Sequence, residues 1–96
     1  MSGTNVTISH NPTEKRFEAK VGSEVAVSEY MRVGDSFIFT HTEVPESLEG
    51  QGVGSALVKW ALDYLRDNGF TAAPLCPFVK GYIQRHPEYA DLVRLG

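Results

Sequence analysis

Cysteine is almost absent from this 96-residue chain, which contains Cys76 and no other. A single cysteine excludes an internal disulfide, a Cys-x-x-Cys redox pair and a cysteine-based zinc knuckle, and we expect no metal site. A chain without disulfides suits a reducing compartment. We therefore expect a cytoplasmic location.

Long apolar runs and runs of basic residues are also missing. No apolar stretch approaches the ~18 residues that a membrane span needs. Residues 1–5 have neither the basic nor the apolar region of a signal peptide. Nine Lys and Arg against twelve Asp and Glu give a net charge of −3, and the basic residues are scattered. We expect neither a membrane nor a nucleic-acid partner.

The composition that remains is typical of a soluble globular protein, with 42% hydrophobic and 22% charged residues. The length is that of one domain. We predict a single domain over residues 1–96, and nothing in the sequence indicates its oligomeric state.

The first half of the chain has the period-two alternation of half-buried strands. It predicts an antiparallel meander of three to four strands, with two-residue turns at Gly22-Ser23 and Gly34-Asp35. The predicted strands are residues 5–9, 14–21, 24–33 and 36–44. In the third of these, Val25, Val27 and Met31 lie on one side, and Ala26, Ser28 and Tyr30 lie on the other.

The second half changes to helical spacing. Apolar residues recur along one face from Val53 to Leu65, which predicts an amphipathic helix that ends at Asn68-Gly69 and holds Trp60 in the core. Residues 70–76 read as a short strand, and a second helix runs from Pro77 to the break at His86-Pro87. Leu92, Val93 and Leu95 then pack a last turn on the sheet. The predicted fold class is α+β: meander, helix, strand, helix.

A glycine-rich segment, residues 49–55, joins the meander to the first helix. Its alternating glycines let the backbone turn sharply and approach a ligand, and a helix start offers unpaired N–H groups to an anion. A Walker A loop is excluded because Ser55-Ala56 follows Gly54, and a dinucleotide fingerprint is excluded because the required third glycine is missing. The alternative is a glycine-rich turn that only joins strand to helix.

The segment resembles the Q/R-x-x-G-x-G/A loop of the GNAT acetyltransferase superfamily, whose backbone amides bind the pyrophosphate of acetyl-CoA. Glu49 occupies the first motif position, where the superfamily has Gln or Arg, and a carboxylate there is unfavourable for a pyrophosphate. The resemblance implies acetyl-CoA as cosubstrate and a binding set made of Val44, Gly50, Gln51, Gly52, Val53, Gly54 and Ser55.

The resemblance extends from residue 40 to residue 93. The segments HTEVP (41–45), LCPFV (75–79) and YI-xx-HPEY (82–89) are similar to a small, single-domain GNAT-like subfamily. This implies a GNAT fold in which the strands ending at Val44 and Cys76 splay apart around the pantetheine arm. Larger members carry one or two helices after the first strand, which shape the acceptor side. Here Asn11-Pro12-Thr13 alone separates the first two strands, so the acceptor pocket must be open or completed by a partner.

Cys76 is the first candidate for catalysis. It precedes Pro77 and is therefore the predicted N-cap of the second helix, where the helix dipole would stabilise a thiolate. In the GNAT-like arrangement it would face the thioester, and could accept the acetyl group or relay a proton. The alternative is a small buried hydrophobic residue, which lone cysteines usually are.

His41 and Tyr82 are the other two candidates. His41 shares a strand face with Glu43, and acetyl transfer to an amine needs a base that titrates in the range of imidazole. Glu43 could be the base instead, or could orient His41, and a structural histidine at a strand end is as good an interpretation. The resemblance places Tyr82 near the tyrosine that protonates the leaving thiolate in many GNAT enzymes, although its spacing with Phe78 favours core packing. We interpret His10 and His86 as structural.

Two functions from different classes follow. The first is an acetyl-CoA-binding N-acetyltransferase that moves an acetyl group to an unidentified amine or protein acceptor, by direct attack or through an acetyl-Cys76 intermediate. The second is a non-catalytic CoA-binding or protein-interaction module. Glu49 and the missing acceptor-side helices favour the second, and the pair of His41 and Cys76 favours the first.

Overall fold

The computed structural model describes residues 5–94, which form a five-stranded sheet with helices. The strands lie in chain order across the sheet; the first four pair antiparallel, and the fifth pairs parallel to the fourth. The strands are β1 (Thr7–Asn11), β2 (Arg16–Val21), β3 (Glu24–Val33), β4 (Ser36–Glu43) and β5 (Thr71–Pro74). The helices are α1 (Val53–Asp67) and α2 (Pro77–Arg85), with 3₁₀ helices at Glu46–Leu48 and Pro87–Leu92. The α+β class and its order of elements are confirmed.

The first hairpin differs from the prediction at its turn. β1 ends at Asn11 rather than at residue 9, and β2 begins at Arg16 rather than at residue 14. The residues between them form a tight turn, in which Lys15 has a φ of 56° and its N–H bonds to the carbonyl of Pro12 at 3.2 Å. The Asn11 side chain accepts a hydrogen bond from the N–H of Glu14. Glu14 and Lys15, which the alternation assigned to the second strand, therefore belong to the turn.

The buried face of β3 is the one that carries Ala26, Ser28 and Tyr30, and Met31 on the other face is 57% exposed. The register explains this choice, because Ala26 and Ser28 lie opposite Ala19 and Phe17 of β2, which are fully buried. Helix α1 packs on this face.

Helix α1 buries four residues of the predicted apolar stripe, Val53, Leu57, Ala61 and Leu65, while Ala56 is exposed. The prediction that Trp60 is a core residue is wrong, since it is 37% exposed. Val58 and Leu62 widen the buried stripe on the opposite side, which leaves Trp60 on the flank, where its ring stacks on Tyr64 at 6.0 Å.

The chain beyond β5 packs beside α1. Asp91 accepts two hydrogen bonds from Arg66 of α1, and Tyr89 donates one to Asp63. Val93 forms a parallel bridge with Ala72, as the predicted packing of the last turn on the sheet requires. The prediction for Leu95 lies outside the described residues. Between residues 5 and 94, no helix is long and apolar enough to cross a membrane.

Candidate functional site

Helix α1 begins without a side-chain cap. Its N-cap residue is Gly52, which has a left-handed φ of 76°, and the first helical hydrogen bond joins the N–H of Ala56 to the carbonyl of Gly52 at 3.0 Å. The amides of Val53, Gly54 and Ser55 precede that bond and therefore have no acceptor within the helix. The positive end of the helix dipole adds to these donors.

The uncapped helix start opens into a cleft of about 670 Å³. One wall is the end of β4 with the segment that follows it, and the other is the start of α1 with one side chain of α2. The lining residues are Thr42, Glu43, Val44, Leu48, Glu49, Gly50, Gly52, Val53, Gly54, Ser55 and Phe78.

The cleft lies beside the point where β4 and β5 separate. Within the described part of the chain, their ladder ends at Phe39 and Pro74. The N–H groups of Leu75 and Cys76 both bond to the carbonyl of Phe39, at 3.1 and 2.9 Å, and the chain then turns into α2. Residues 41–43 thus pair with β3 on one side and leave the other edge of β4 to the cleft.

The charged side chains that line the cleft are carboxylates. They are Glu43 and Glu49, and no lysine or arginine of residues 5–94 joins them. The side chain of Glu43 is exposed and its Oε1 lies 3.4 Å from Nε2 of His41, a long contact between solvated groups. Among the described groups that line the cleft, the backbone at the start of α1 is therefore the one that favours an anion.

A bulge in β4 decides which side chains face inward. The register changes between Glu29 and Tyr30 of β3, so Thr40 is the extra residue of β4. Beyond it, Thr42 points to the interior beside Ser28, while the side chain of His41 is 54% exposed. His41 is not among the residues that line the cleft.

Cys76 lies directly behind Thr42. It is buried, and its Sγ donates to Oγ1 of Thr42 at 3.3 Å. Oγ of the fully buried Ser28 lies 3.3 Å from the same Oγ1, so thiol and hydroxyls form one chain that reaches the cleft at Thr42. Cys76 is the N-cap of α2 and Pro77 its first residue, as predicted.

The sequence of this chain matches a known family. A family model described as GCN5-related N-acetyl-transferase matches residues 16–92. The chain belongs to this family. The solution NMR structure of a GCN5-like protein from Staphylococcus aureus has the same fold, with a TM-score of 0.69 and 26% identity over 98% of this chain and 91% of that one.

Curated relatives of this acetyltransferase family member carry the name Protein NATD1. The proteins from Mus musculus and Homo sapiens are each 28% identical to this chain over 97% of its length. The matched region covers 87% of the mouse protein and 85% of the human protein. The one from Danio rerio is 25% identical over 94% of this chain. The predicted resemblance to GNAT acetyltransferases is thereby confirmed.

The third predicted catalytic residue lies elsewhere. Tyr82 is buried, its ring stacks on His86 at 4.1 Å, and it does not line the cleft. Burial raises the pKa of the Tyr82 hydroxyl. The remaining histidine, His10, accepts or donates a 2.6 Å hydrogen bond with the Tyr30 hydroxyl and stacks on Phe17, which fits its structural interpretation.

Sequence reasoning missed three residues that line the cleft, namely Thr42, Leu48 and Phe78. Thr42 gives no signal in the sequence, because its inward direction depends on the bulge at Thr40. Phe78 does carry a signal, since it is an apolar residue in the first turn of the helix that follows Cys76, but that pattern also fits a core residue.

Proposed function

We propose that this chain binds acetyl-CoA in the cleft and transfers the acetyl group to an amine. The observation that carries the proposal is the uncapped start of α1, which opens beside the separated ends of β4 and β5. Three N–H donors and the helix dipole can hold a pyrophosphate there, and the gap between the strands can admit the pantetheine arm.

The binding residues are those of the glycine segment and the end of β4. Six members of the proposed set line the cleft: Val44, Gly50, Gly52, Val53, Gly54 and Ser55. The seventh, Gln51, donates from its side chain to the carbonyl of Ser47 at 3.0 Å, which holds the segment in shape. Gly50 and Gly52 both have left-handed φ angles, so the segment depends on glycine for its course.

Acetyl transfer can follow two routes in this site. In the direct route, the amine nitrogen attacks the thioester carbonyl, the carbon–sulfur bond breaks, and CoA leaves as a thiolate. A base must take the proton that the amine loses, and we assign this role to Glu43, which lines the cleft, with His41 beside it at 3.4 Å. In the other route, the Cys76 sulfur attacks the thioester carbonyl, the bond from that carbon to the CoA sulfur breaks, and CoA leaves as a thiol with the proton that Cys76 loses. The amine then attacks the acetyl group on Cys76, the carbon–sulfur bond breaks, and the Cys76 sulfur takes the proton that the amine loses.

The contacts of Cys76 support its participation. Its sulfur is held by Thr42, and Thr42 lines the cleft. Because hydroxyls both donate and accept, the pair of Thr42 and Ser28 can accept from the thiol and donate to the thiolate. Tyr82 takes no part in this proposal, since it packs away from the cleft.

Two measurements test the proposal. Titration of CoA into the labelled protein should shift the amides of residues 50–55 in its ¹⁵N NMR spectrum; unchanged amides would reject acetyl-CoA binding. Incubation with acetyl-CoA followed by intact mass should show one added acetyl group. Because Cys76 is the single cysteine, a hydroxylamine-labile adduct that disappears in Cys76→Ala identifies the thioester.

A non-catalytic CoA-binding module remains the second candidate. The two carboxylates in the cleft and the absence of a lysine or arginine among its described lining residues favour it. Shifted amides together with no acetylation of Cys76 or of added polyamines and lysine peptides would support this second function.

A further inference from the structure

Phe78 is the one α2 residue among the described residues that line the cleft. It is apolar and yet 38% exposed, whereas Val79, Tyr82 and Ile83 of the same helix are buried. Its exposed surface faces a space that a ligand can fill. Burial of such a surface by a ligand is favourable, roughly in proportion to the apolar area removed from water.

The Phe78 ring rests on Gly54. A Cβ added to Gly54 would lie 2.6 Å from Cζ of Phe78 and 3.1 Å from Cγ2 of Val44. Gly54 is in the helix and is not among the residues with positive φ. Its backbone conformation therefore suits any residue, and the reason for glycine at this position is the space that the ring occupies.

Gly52, two residues earlier, has the opposite requirement. No heavy atom lies within 4 Å of an added Cβ, but its φ is 76°. The two motif glycines thus serve different purposes: Gly52 permits the turn into α1, and Gly54 permits the approach of Phe78.

We propose that Gly54 seats the Phe78 ring, and that Phe78 is the wall of the cleft that binds the pantetheine arm and selects ligands that carry it. This inference rests on the proposed function. A ligand whose phosphates meet the amides of residues 53–55 and whose thioester reaches Thr42 must run past the ring, which contacts Gly54 and follows Cys76 by two residues. Phe78 is thereby a specificity residue, distinct from the donors that hold the phosphates.

The first experiment compares two ligands. Adenosine 3′-phosphate 5′-diphosphate has the pyrophosphate of CoA and lacks its pantetheine arm. Phe78→Ala should weaken CoA binding by about tenfold, as expected for loss of a buried aromatic contact, and should leave the Kd of the nucleotide unchanged. The matched control is Leu75→Ala, which removes an apolar side chain that is 67% exposed and lies outside the cleft. It should change neither Kd.

The second experiment tests the seat. Gly54→Ala alone should lower the thermal unfolding midpoint and weaken CoA binding, because the methyl group displaces the ring. Phe78→Leu removes Cζ and Cε1, the two ring atoms that the new Cβ would meet. Gly54→Ala in the Phe78→Leu background should therefore cost less stability than in the wild type.

The outcomes separate this inference from the proposed function. If the wild type binds no CoA, the proposed function fails, and the unfolding midpoints still test the seat. If the wild type binds CoA and Phe78→Ala weakens both ligands equally, or neither, then the ring does not contact the pantetheine arm and the inference is overturned. If Gly54→Ala lowers the unfolding midpoint equally in both backgrounds, the proposal that Gly54 makes room for the Phe78 ring is overturned.

Discussion

Glu49 places a carboxylate where a pyrophosphate would approach α1. It ends the first 3₁₀ helix, donates its N–H to the carbonyl of Glu46 and lines the cleft. Two negative charges about 4–6 Å apart near a surface repel each other, and salt weakens that repulsion. Replacing the Glu49 side chain removes this repulsion and leaves the donors of α1 in place, because those donors are backbone amides.

We therefore expect Glu49→Arg to tighten CoA binding more than Glu49→Gln does, and the gain from Arg to shrink as salt rises. Isothermal titration of CoA at low and high salt measures both effects. Glu46→Arg is the matched control, since it makes the same change of charge at a residue that does not line the cleft. Unchanged affinity of Glu49→Arg at both salts would mean that Glu49 does not meet the phosphates.

The hydroxyl of Thr42 accepts a hydrogen bond from the Cys76 thiol, and its contribution can be tested by itself. Thr42→Val keeps the shape of the side chain and removes the acceptor of the Cys76 thiol, while Thr42→Ser keeps the hydroxyl. We expect Thr42→Val to slow acetylation of Cys76 by acetyl-CoA about five- to tenfold, the effect of a hydrogen bond worth roughly 1–1.5 kcal/mol. Time-resolved intact mass measures the rate. A rate in Thr42→Ser as low as in Thr42→Val would argue against the hydroxyl.

At the scale of elements, the entry into α1 depends on a glycine. A residue with a Cβ is strained at the φ of 76° that Gly52 adopts, although space around it is open. We expect Gly52→Ala to lower the free energy of unfolding by about 1 kcal/mol. Urea denaturation measures the change, and Gly52→Asn should cost less because asparagine tolerates the left-handed region better. Equal losses in the two variants would point to a cause other than backbone strain.

The outer face of the sheet holds a buried carboxylate. Glu18 accepts hydrogen bonds from Nε of Arg16 at 2.8 Å and from Nδ2 of Asn11 at 3.0 Å. These bonds, that of Arg16 first, hold the pKa of Glu18 below its ordinary value. Their stabilisation is therefore complete above the ordinary pKa of glutamate and is lost as the pH falls through the lowered pKa of the folded state.

Glu18→Gln should thus destabilise the protein at neutral pH by about 1–2 kcal/mol, and the difference from the wild type should shrink in acid. Urea denaturation between neutral pH and pH values below the ordinary pKa of glutamate measures it. Glu14→Gln, which changes an exposed carboxylate in the adjoining turn, is the control and should show little difference. If the difference in unfolding free energy between Glu18→Gln and the wild type stays constant with pH, the ion pair of Glu18 and Arg16 does not contribute to stability.

At the scale of the whole molecule, the C-terminal 3₁₀ helix ties α2 back to α1. The Tyr89 hydroxyl donates to Oδ1 of Asp63 at 2.7 Å, and burial followed by this bond raises the pKa of Tyr89 to about 12. Tyr89→Phe should lower the free energy of unfolding by about 1 kcal/mol. Thermal unfolding measures it against Tyr64→Phe, since the side chain of Tyr64 stacks on Trp60 and its hydroxyl makes no hydrogen bond within the described residues. Equal losses would mean that the hydroxyl bond contributes nothing.

The sequence by itself determined the order of elements and the position of the glycine-rich segment that opens α1. Alternation and helical spacing report which side of an element is apolar, and glycine with proline marks where elements end, so these features are local. The glycine segment and the N-cap position of Cys76 were predictable for the same reason. Both depend on residues that adjoin one another in the chain.

Only the tertiary structure decided which groups meet. The bulge at Thr40 comes from the pairing of β4 with β3, and it turns Thr42 rather than His41 toward Cys76, 34 residues away. Trp60 lies on the flank because the sheet covers a stripe of limited width. Contacts between distant segments depend on register and on the direction of each side chain, and neither is recorded in the local pattern of the chain.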